Sequence, residues 1–316
     1  MRAIIILLSL LFPRDTLSVM FWNVENFFDW RNDSTTVSDE EFTARGERHW
    51  TWKRFQAKAN SFAKAIFWIE EETGRLPDIV GLEEVENAFV LRQLLQKTTL
   101  RKTGYQYVHY DSPDRRGIDV ALLYRSSVLE LLDSKPCHLY DADTVMATRD
   151  ILLCVFKRND GTFAVLVNHH PSKYGGVSES EPRRRIAVER LRFLADSLAA
   201  VGIDRIIAGG DFNDTPDNPV FRLLEPALVP LHRDLYHRGQ GTIKYDGKWD
   251  LIDHIYVSPA LGEENPSMRI LRIPFLLTRD NVHSGEKPLR TYTGPRHTAG
   301  VSDHLPVLLE VIFPPD

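Results

Sequence analysis

The sequence predicts an α/β domain in which helices and mixed β-sheets pack in layers. Apolar runs with the length of strands recur along the chain, over residues 17–22, 79–82, 120–124, 151–156, 163–167, 205–208, 251–257 and 305–313. Two other stretches, 52–71 and 181–200, repeat apolar residues every three or four positions, which is the period of a helix. Because strands and helices mix without strict alternation, the pattern favours mixed sheets over a regular parallel sheet.

The first element along the chain resembles a secretory leader. Arg2 is followed by the apolar run 3–12, which is too short for a membrane span of roughly 20 residues but suits the apolar part of a leader. The triplet 16–18, Thr-Leu-Ser, supplies a weak cleavage signal. A buried first strand or helix is the other interpretation. We expect a leader over residues 1–18, one domain over 19–316, and export to the periplasm or the extracellular space.

Both predicted helices have an apolar face, and two irregular segments interrupt the pattern. The first helix would bury Phe55, Phe62 and Ile69, and the second Leu191 and Leu198. Residues 30–50 and 260–300 show neither period and predict long loops, which are usually functional or mobile at that length.

Composition describes a globular protein and excludes several classes. The 316 residues are 43% hydrophobic and 26% charged, with a net charge of -5. A protein held on DNA mainly by a basic field normally has the opposite sign. Cys137 and Cys154 are too few for a disulfide scaffold or a thiolate zinc site. They would form one disulfide across a hairpin in an exported protein or remain two free buried thiols.

Polar residues suited to catalysis follow or precede six of the apolar runs. They are Asn23, the pair 83–84, the triplet 168–170, the segment 211–213, the pair 253–254 and the segment 302–304. If the strands lie in packed sheets, these positions meet at one edge, where α/β folds place their sites. Six such positions together are hard to explain as ordinary strand ends.

These motifs resemble the series of the endonuclease/exonuclease/phosphatase superfamily, which has the deoxyribonuclease I-like fold. In order they are NVEN (23–26), DIVGLEEV (78–85), VNH (167–169), GDFND (210–214), IDHI (252–255) and SDHLP (302–306). The order and rough spacing match from about residue 18 to 313. The resemblance implies a four-layer sandwich, two mixed β-sheets face to face with helices outside, and a metal-dependent phosphoesterase site at one rim.

The resemblance also implies a metal site. Glu84 would be the metal carboxylate, with Asn23 and Asp303 as further oxygen ligands, a set suited to Mg²⁺ or Mn²⁺. Family members commonly carry Gln where this chain has Glu83. Since neighbouring residues of a strand point to opposite faces, only one of the two glutamates should reach the metal, and we assign Glu83 a structural role.

The remaining motif residues would handle the phosphate and the water. By the resemblance, Asp211 deprotonates the attacking water and Asn213 donates to the pentacovalent phosphorus group. His169 and His304 would bracket the phosphate.

Two aspartates would orient these imidazoles. Asp253 would hold His304 in one tautomer and raise its pKa, because a nearby carboxylate favours the imidazolium. Asp119, within residues 116–124, is expected to do the same for His169.

The predicted function is hydrolysis of phosphodiester bonds by an activated water, most simply by a nuclease that binds nucleic acid transiently as a monomer without stable membrane insertion. A phosphatase or phosphodiesterase acting on a lipid, an inositol phosphate or another small phosphoester is the alternative. An inactive binding module of the same fold is disfavoured, because an idle site has no reason to keep so many matched polar groups.

Overall fold

Two six-stranded β-sheets lie face to face in the computed structural model, which describes residues 16–32, 39–159, 161–173 and 176–313. The first sheet has the order β15-β20-β1-β2-β4-β3. Its strands, numbered in chain order, are β1 (Thr16–Phe27), β2 (Ile79–Val85), β3 (Tyr105–His109), β4 (Asp119–Arg125), β15 (Ser267–Ile270) and β20 (Val307–Ile312). The second sheet has the order β11-β14-β10-β9-β8-β5. Its strands are β5 (Glu130–Cys137), β8 (Ile151–Arg158), β9 (Gly161–His169), β10 (Ile206–Asp211), β11 (Val229–Pro230) and β14 (Asp253–Val257).

Short hairpins and helices complete the described part of the chain. The hairpins pair β6 (Tyr140–Asp141) with β7 (Thr144–Val145), β12 (Ile243–Tyr245) with β13 (Lys248–Asp250), β16 (Leu277–Arg279) with β17 (Glu286–Pro288), and β18 (Tyr292–Thr293) with β19 (Arg296–His297). The α-helices are α1 (Trp52–Thr73), α2 (Ala88–Lys97), α3 (Val177–Ala200), α4 (Arg233–His237) and α5 (Pro259–Gly262). Single 3₁₀ turns occupy Asp39–Phe42, Thr99–Lys102, Pro219–Leu224 and Pro274–Leu276.

Three apolar cores separate four layers, so the predicted sandwich is confirmed. Strand β1 shows how period two divides the cores: Met20 and Trp22 pack with α1 and α2, whereas Val19 and Phe21 enter the space between the sheets. On the other side, α3 packs Leu191 onto the outer face of the second sheet. The predicted apolar faces of both long helices are buried.

Phe21 fills the space between the sheets because glycines flank its ring on both sides. Gly81 is its register partner on β2, and Gly209 lies on β10 of the facing sheet. A Cβ atom would lie 2.5 Å from the ring at Gly81 and 2.4 Å from it at Gly209. Packed sheets lie about 10 Å apart, which leaves no room for both the ring and an extra methyl group.

All eight predicted strands are present, but two strands and several short elements were missed. Strands β3 and β5 lie at sheet edges and alternate poorly between buried and exposed residues. The prediction of an irregular loop over residues 260–300 is wrong, because the segment contains β15 and two hairpins. Strands of two to four residues are too short to show a period.

The two cysteines are free and buried. They lie on neighbouring strands, but Cys154 faces the space between the sheets and Cys137 faces α3. Because their side chains lie on opposite faces of one sheet, the disulfide alternative is not realised.

The end of the predicted leader falls inside β1. Residues 1–15 lie outside the described part of the chain, while Thr16 and Ser18 pair with Ile312 and Glu310 of β20. Cleavage after Ser18 would remove three paired residues from the strand, whereas cleavage before Thr16 would leave it whole. The leader and export stay predictions. Among the described helices, none has both the length and the apolar character needed to cross a membrane.

We expect Gly209→Ala to lower the free energy of unfolding by about 1–3 kcal/mol, the usual cost of overpacking a core. The reason is that the new methyl group must displace the ring of Phe21. Urea denaturation measures the loss. Gly262→Ala is the matched control, because its nearest heavy atom beyond the chain neighbours, on Val229, would lie 3.7 Å away. Equal midpoints for the two variants would show that the ring has room to move.

Candidate active site

Strand direction brings the predicted site residues to one edge of the two sheets. The parallel pairs β1–β2 and β9–β10 end at this edge, and the antiparallel strands β14 and β20 begin there. In the second sheet, Asp211 has His169 as its register partner on one side and Asp253 on the other. In the first sheet, Asn23 pairs with Glu83. Register therefore sets the spacing of the polar groups.

The edge surrounds a cavity of about 280 Å³. Seven of the nine predicted site residues line it: Asn23, Glu84, His169, Asp211, Asn213, Asp303 and His304. Asp253 lies behind His304, and Asp119 lies elsewhere. The sequence analysis missed two lining arginines, Arg116 and Arg290, since nothing in the motifs marks them.

His304 lies between two buried aspartates. Its Nδ1 atom is 2.8 Å from Asp253 Oδ2, and its Nε2 atom is 3.9 Å from Asp211 Oδ2. Burial opposes the charge, but the carboxylates of Asp253 and Asp211 outweigh it and raise the pKa of His304 well above its usual value. The imidazole is therefore a cation at neutral pH, as predicted for the pair with Asp253.

Asp211 is held in one orientation by its neighbours. The backbone N–H of Asn213 donates to Oδ1 at 2.8 Å, and Asn23 Nδ2 donates to Oδ2 at 3.0 Å. Burial raises the pKa of Asp211 to about 7; His304 lowers it and Asp253 raises it. A carboxylate with a pKa near neutrality is suited to accept a proton from water.

His169 lies beside the carboxylates of Asp211 and Glu84. Its Nε2 atom lies 3.6 Å from Asp211 Oδ2 and 4.0 Å from Glu84 Oε1. Burial, together with the guanidinium groups of Arg149 and Arg116, holds its pKa well below the usual range. The ring is therefore neutral, in contrast to that of His304.

Glu84 is presented to the cavity by a β-bulge. The register between β2 and β4 shifts at this residue, and its φ of 64° lies in the left-handed region. Its Oε2 atom accepts a hydrogen bond from Asn26 N at 2.8 Å, and Arg116 Nη1 and the neutral ring of His169 each lie 4.0 Å from Oε1. Glu25, Asn26 and Asn213 also have positive φ, so backbone strain concentrates at this site.

The donor set fits a hard divalent cation. Four carboxylates line one small cavity, and Mg²⁺ and Mn²⁺ prefer oxygen ligands. Those of Glu84, Asp211 and Asp303 are the candidate ligands, because Glu25 is bonded to Arg290 and Thr291. Asn23 is less available than predicted, because its Oδ1 accepts from Glu25 N at 2.9 Å while its Nδ2 holds Asp211. Asp303 forms an ion pair with Arg290 at 3.0 Å.

A network of charged side chains supports the side of the cavity formed by Arg290 and Asp303. Glu25 accepts two hydrogen bonds from Arg290 and one from the backbone of Thr291. Lys58 reaches from α1 to the carbonyl of Glu25 and to Thr291 Oγ1. The network ties the loop that carries Arg290 and Asp303 to the end of β1. No sequence pattern distinguishes Lys58 from the other polar residues of its helix.

Glu83 lies below the cavity rather than in it. It is fully buried, and neither of its carboxylate oxygens has a hydrogen-bond partner. A Cβ atom at Gly210 would lie 2.7 Å from its Oε1, so the side chain packs between the sheets. Burial, with the charges of Asp253 and Asp211, raises the pKa of Glu83 well above its usual value. The side chain is therefore a neutral acid.

The expected pairing of Asp119 with His169 is wrong. Asp119 contacts His109 Nε2 at 3.2 Å and accepts hydrogen bonds from Ser112. It lies on β4 two positions from Ala121, the register partner of His109 on β3. With His109 and the exposed Asp111 it forms a group whose potential ligand atoms lie within 4.8 Å of one another.

Residues 18–312 match a known protein family. The sequence profile described as "Endonuclease/Exonuclease/phosphatase family" matches residues 18–312. The chain belongs to this family. Its members are divalent-metal-dependent phosphoesterases, among them nucleases and phosphatases. A comparison with curated protein sequences finds no match.

Solved structures of the family share the fold at low sequence identity. TDP2 of D. rerio, complexed with a single-strand DNA product, is 16% identical, with a TM-score of 0.57 over 93% of this chain and 98% of that one. The human Nocturnin catalytic domain with bound sulfate is 18% identical, with a TM-score of 0.59 over 95% and 96%. A mannosyl-6-phosphatase of Bacteroides thetaiotaomicron is 18% identical, with a TM-score of 0.59 over 94% and 100%.

The buried acid at position 83 makes stability depend on pH. The folded chain keeps the Glu83 proton to high pH, whereas the unfolded chain loses it near pH 4.5, so folding is penalised as the pH rises above that value. We expect Glu83→Gln to raise Tm at pH 8 and to give no comparable gain at pH 4. Glu71→Gln, on the exposed face of α1, is the control. A gain independent of pH would show that Glu83 is not a neutral acid.

Proposed function

We propose that this chain is a divalent-metal-dependent phosphodiesterase that cleaves nucleic acid with an activated water. The observation that carries the proposal is the convergence of Glu84, His169, Asp211 and His304 on one small cavity. The cavity combines oxygen ligands, a carboxylate with a pKa near neutrality and a fixed imidazolium, which are the groups that phosphoester hydrolysis requires.

Each side chain then has a role that follows from its environment. A divalent cation held by Glu84 and Asp303 would neutralise the non-bridging phosphate oxygens. Asp211 accepts the proton of the attacking water, because its two amide partners fix its direction and its pKa is raised to about 7. His304, kept charged by Asp253, donates to the phosphoryl oxygen as negative charge develops. His169 is neutral and donates a hydrogen bond from Nε2 to the phosphate.

An exposed aromatic side chain beside the cavity supports a nucleic-acid substrate. The β12–β13 hairpin forms the wall next to His304 through a bridge from Ile243. At the end of β12, Tyr245 is 80% exposed, and exposed aromatic rings provide stacking surfaces for bases. Trp249 on the same hairpin is covered by the guanidinium group of Arg272, 4.5 Å from the ring centroid, so Tyr245 is the available ring of the two. The similarity to TDP2 with single-strand DNA adds support.

A phosphatase acting on a small phosphomonoester is the second candidate. The cavity of about 280 Å³ is at the lower limit for a ligand pocket, and it would accept one phosphate with a small sugar. The similarity to a mannosyl-6-phosphatase favours the same substrate class.

We expect Asp211→Asn and His304→Ala each to lower phosphodiester cleavage at least ~10²-fold, the usual effect of losing an acid–base partner. Both variants should keep the far-UV circular dichroism spectrum of the parent. Asp196→Asn, in an exposed ion pair on α3, is the control and should retain full activity. Unchanged turnover in either site variant would remove that residue from the mechanism.

The substrate class is tested with single-stranded DNA, duplex DNA, RNA, sphingomyelin, inositol phosphates and mannose 6-phosphate, each with Mg²⁺ and with EDTA. We expect cleavage of a nucleic acid that EDTA abolishes and Mg²⁺ or Mn²⁺ restores. Turnover of mannose 6-phosphate alone would establish the second candidate. Activity that survives EDTA would exclude the metal from the reaction.

A further inference from the structure

A larger cavity, about 1020 Å³, opens beside the active site. Its walls come from the loop before β4, the β6–β7 hairpin, the segment after β9 and the first turns of α3. Arg116 and Ser172 line both this cavity and the smaller one that holds Glu84. The two cavities therefore adjoin at these residues, so that a strand held at Glu84 would pass close to the larger one.

Four arginines line the larger cavity, which we call the arginine cavity: Arg115, Arg116, Arg149 and Arg183. Among the residues that the structure describes, the acidic side chains in the lining are Asp114 and Asp141. This excess of positive charge is local, since the whole chain carries a net charge of -5.

The carboxylate of Asp114 already has partners within the wall of the arginine cavity. It forms a buried ion pair with Arg149 at 3.0 Å, and it accepts from the backbone N–H of Arg116 at 2.9 Å. Arg149 Nη2 also donates to the carbonyl of His170 at 2.7 Å, and His170 directly follows the site residue His169. The wall is thus a fixed structure attached to the active site rather than a set of loose surface side chains.

Two arginines remain available for a ligand. Arg115 and Arg183 are exposed, and within the described part of the chain neither forms an ion pair. They come from separate segments, the loop before β4 and helix α3, yet line one cavity. Guanidinium groups match phosphate oxygens with two parallel hydrogen bonds. Beside them, Val145 is 40% exposed and offers an apolar surface to a sugar or a base.

We propose that the arginine cavity binds the phosphate that neighbours the scissile one along a nucleic-acid strand, with Arg115 and Arg183 as its ligands. This inference rests on the proposed function, because it assumes that the scissile phosphate lies at Glu84. It makes Arg115 and Arg183 determinants of substrate choice: a strand with several phosphates gains contacts that an ester with a single phosphate cannot make.

The test compares Arg115→Ala/Arg183→Ala with the parent and with Arg185→Ala. Arg185 is the matched control, because it is exposed on the same helix and pairs with Glu189. Binding of a fluorescein-labelled thymidine hexanucleotide is measured by anisotropy with Mg²⁺, all three proteins carrying Asp211→Asn to prevent cleavage. We expect the double variant to bind at least tenfold more weakly. The slope of its log K against log salt should fall by about 0.7, the contribution of the one phosphate contact that is lost on a single strand.

Cleavage assays without Asp211→Asn separate this inference from the proposed function. For the hexanucleotide, the double variant should raise KM at least tenfold with kcat nearly unchanged, whereas a single-phosphate aryl ester should show no change. Equal binding by the double variant and Arg185→Ala, or no binding by the parent, would overturn the subsite. Binding that depends on both arginines but no cleavage of any phosphoester would overturn the proposed function and leave the subsite standing.

Discussion

The contact of His304 with Asp253 and Asp211 is the interaction on which the site depends. Two neighbouring carboxylates are buried on the second sheet, and the imidazolium that compensates them is supplied from the segment leading into the first sheet. His304 is fixed in turn by the end of β1: Trp22 Nε1 donates to its carbonyl, and Ser302 links its backbone N–H to the carbonyl of Asn23. The charge pair therefore joins the sheets at the rim, where an unpaired carboxylate would be costly.

The remaining acids explain why the rim suits a cation. Glu84 and Asp303 face the cavity, with Arg116 and Arg290 at its border, and Glu83 is tolerated below it as a neutral acid. Positive charge lies instead beside the site, in the arginine cavity. Arg149 is neutralised there by Asp114, whereas Arg115 and Arg183 form no ion pair within the described residues. A protein with net negative charge can thus hold a polyanion locally, through bound metal and a few guanidinium groups.

The sequence predicted correctly the features that depend on local pattern. It failed where the pairing register of neighbouring strands decides which side chains meet. The apolar runs located eight strands, and the motif matches located seven residues of the cavity. The assignment of Asp119 to His169 failed because the register of β3 against β4 places His109 beside Asp119. Register decides which side chains of neighbouring strands meet, and no residue pattern around position 119 predicts it.

By itself, the sequence determined the layered α/β fold, the strands that carry the polar groups and the identity of most of those groups, because apolar periodicity and strand ends are local properties. Tertiary structure alone decided that His169 is neutral and that Glu83 is protonated, owing to burial and neighbours distant in sequence. It also decided that Arg115 and Arg183, 68 positions apart, line one cavity, because only packing brings a loop of the first sheet beside a helix of the second.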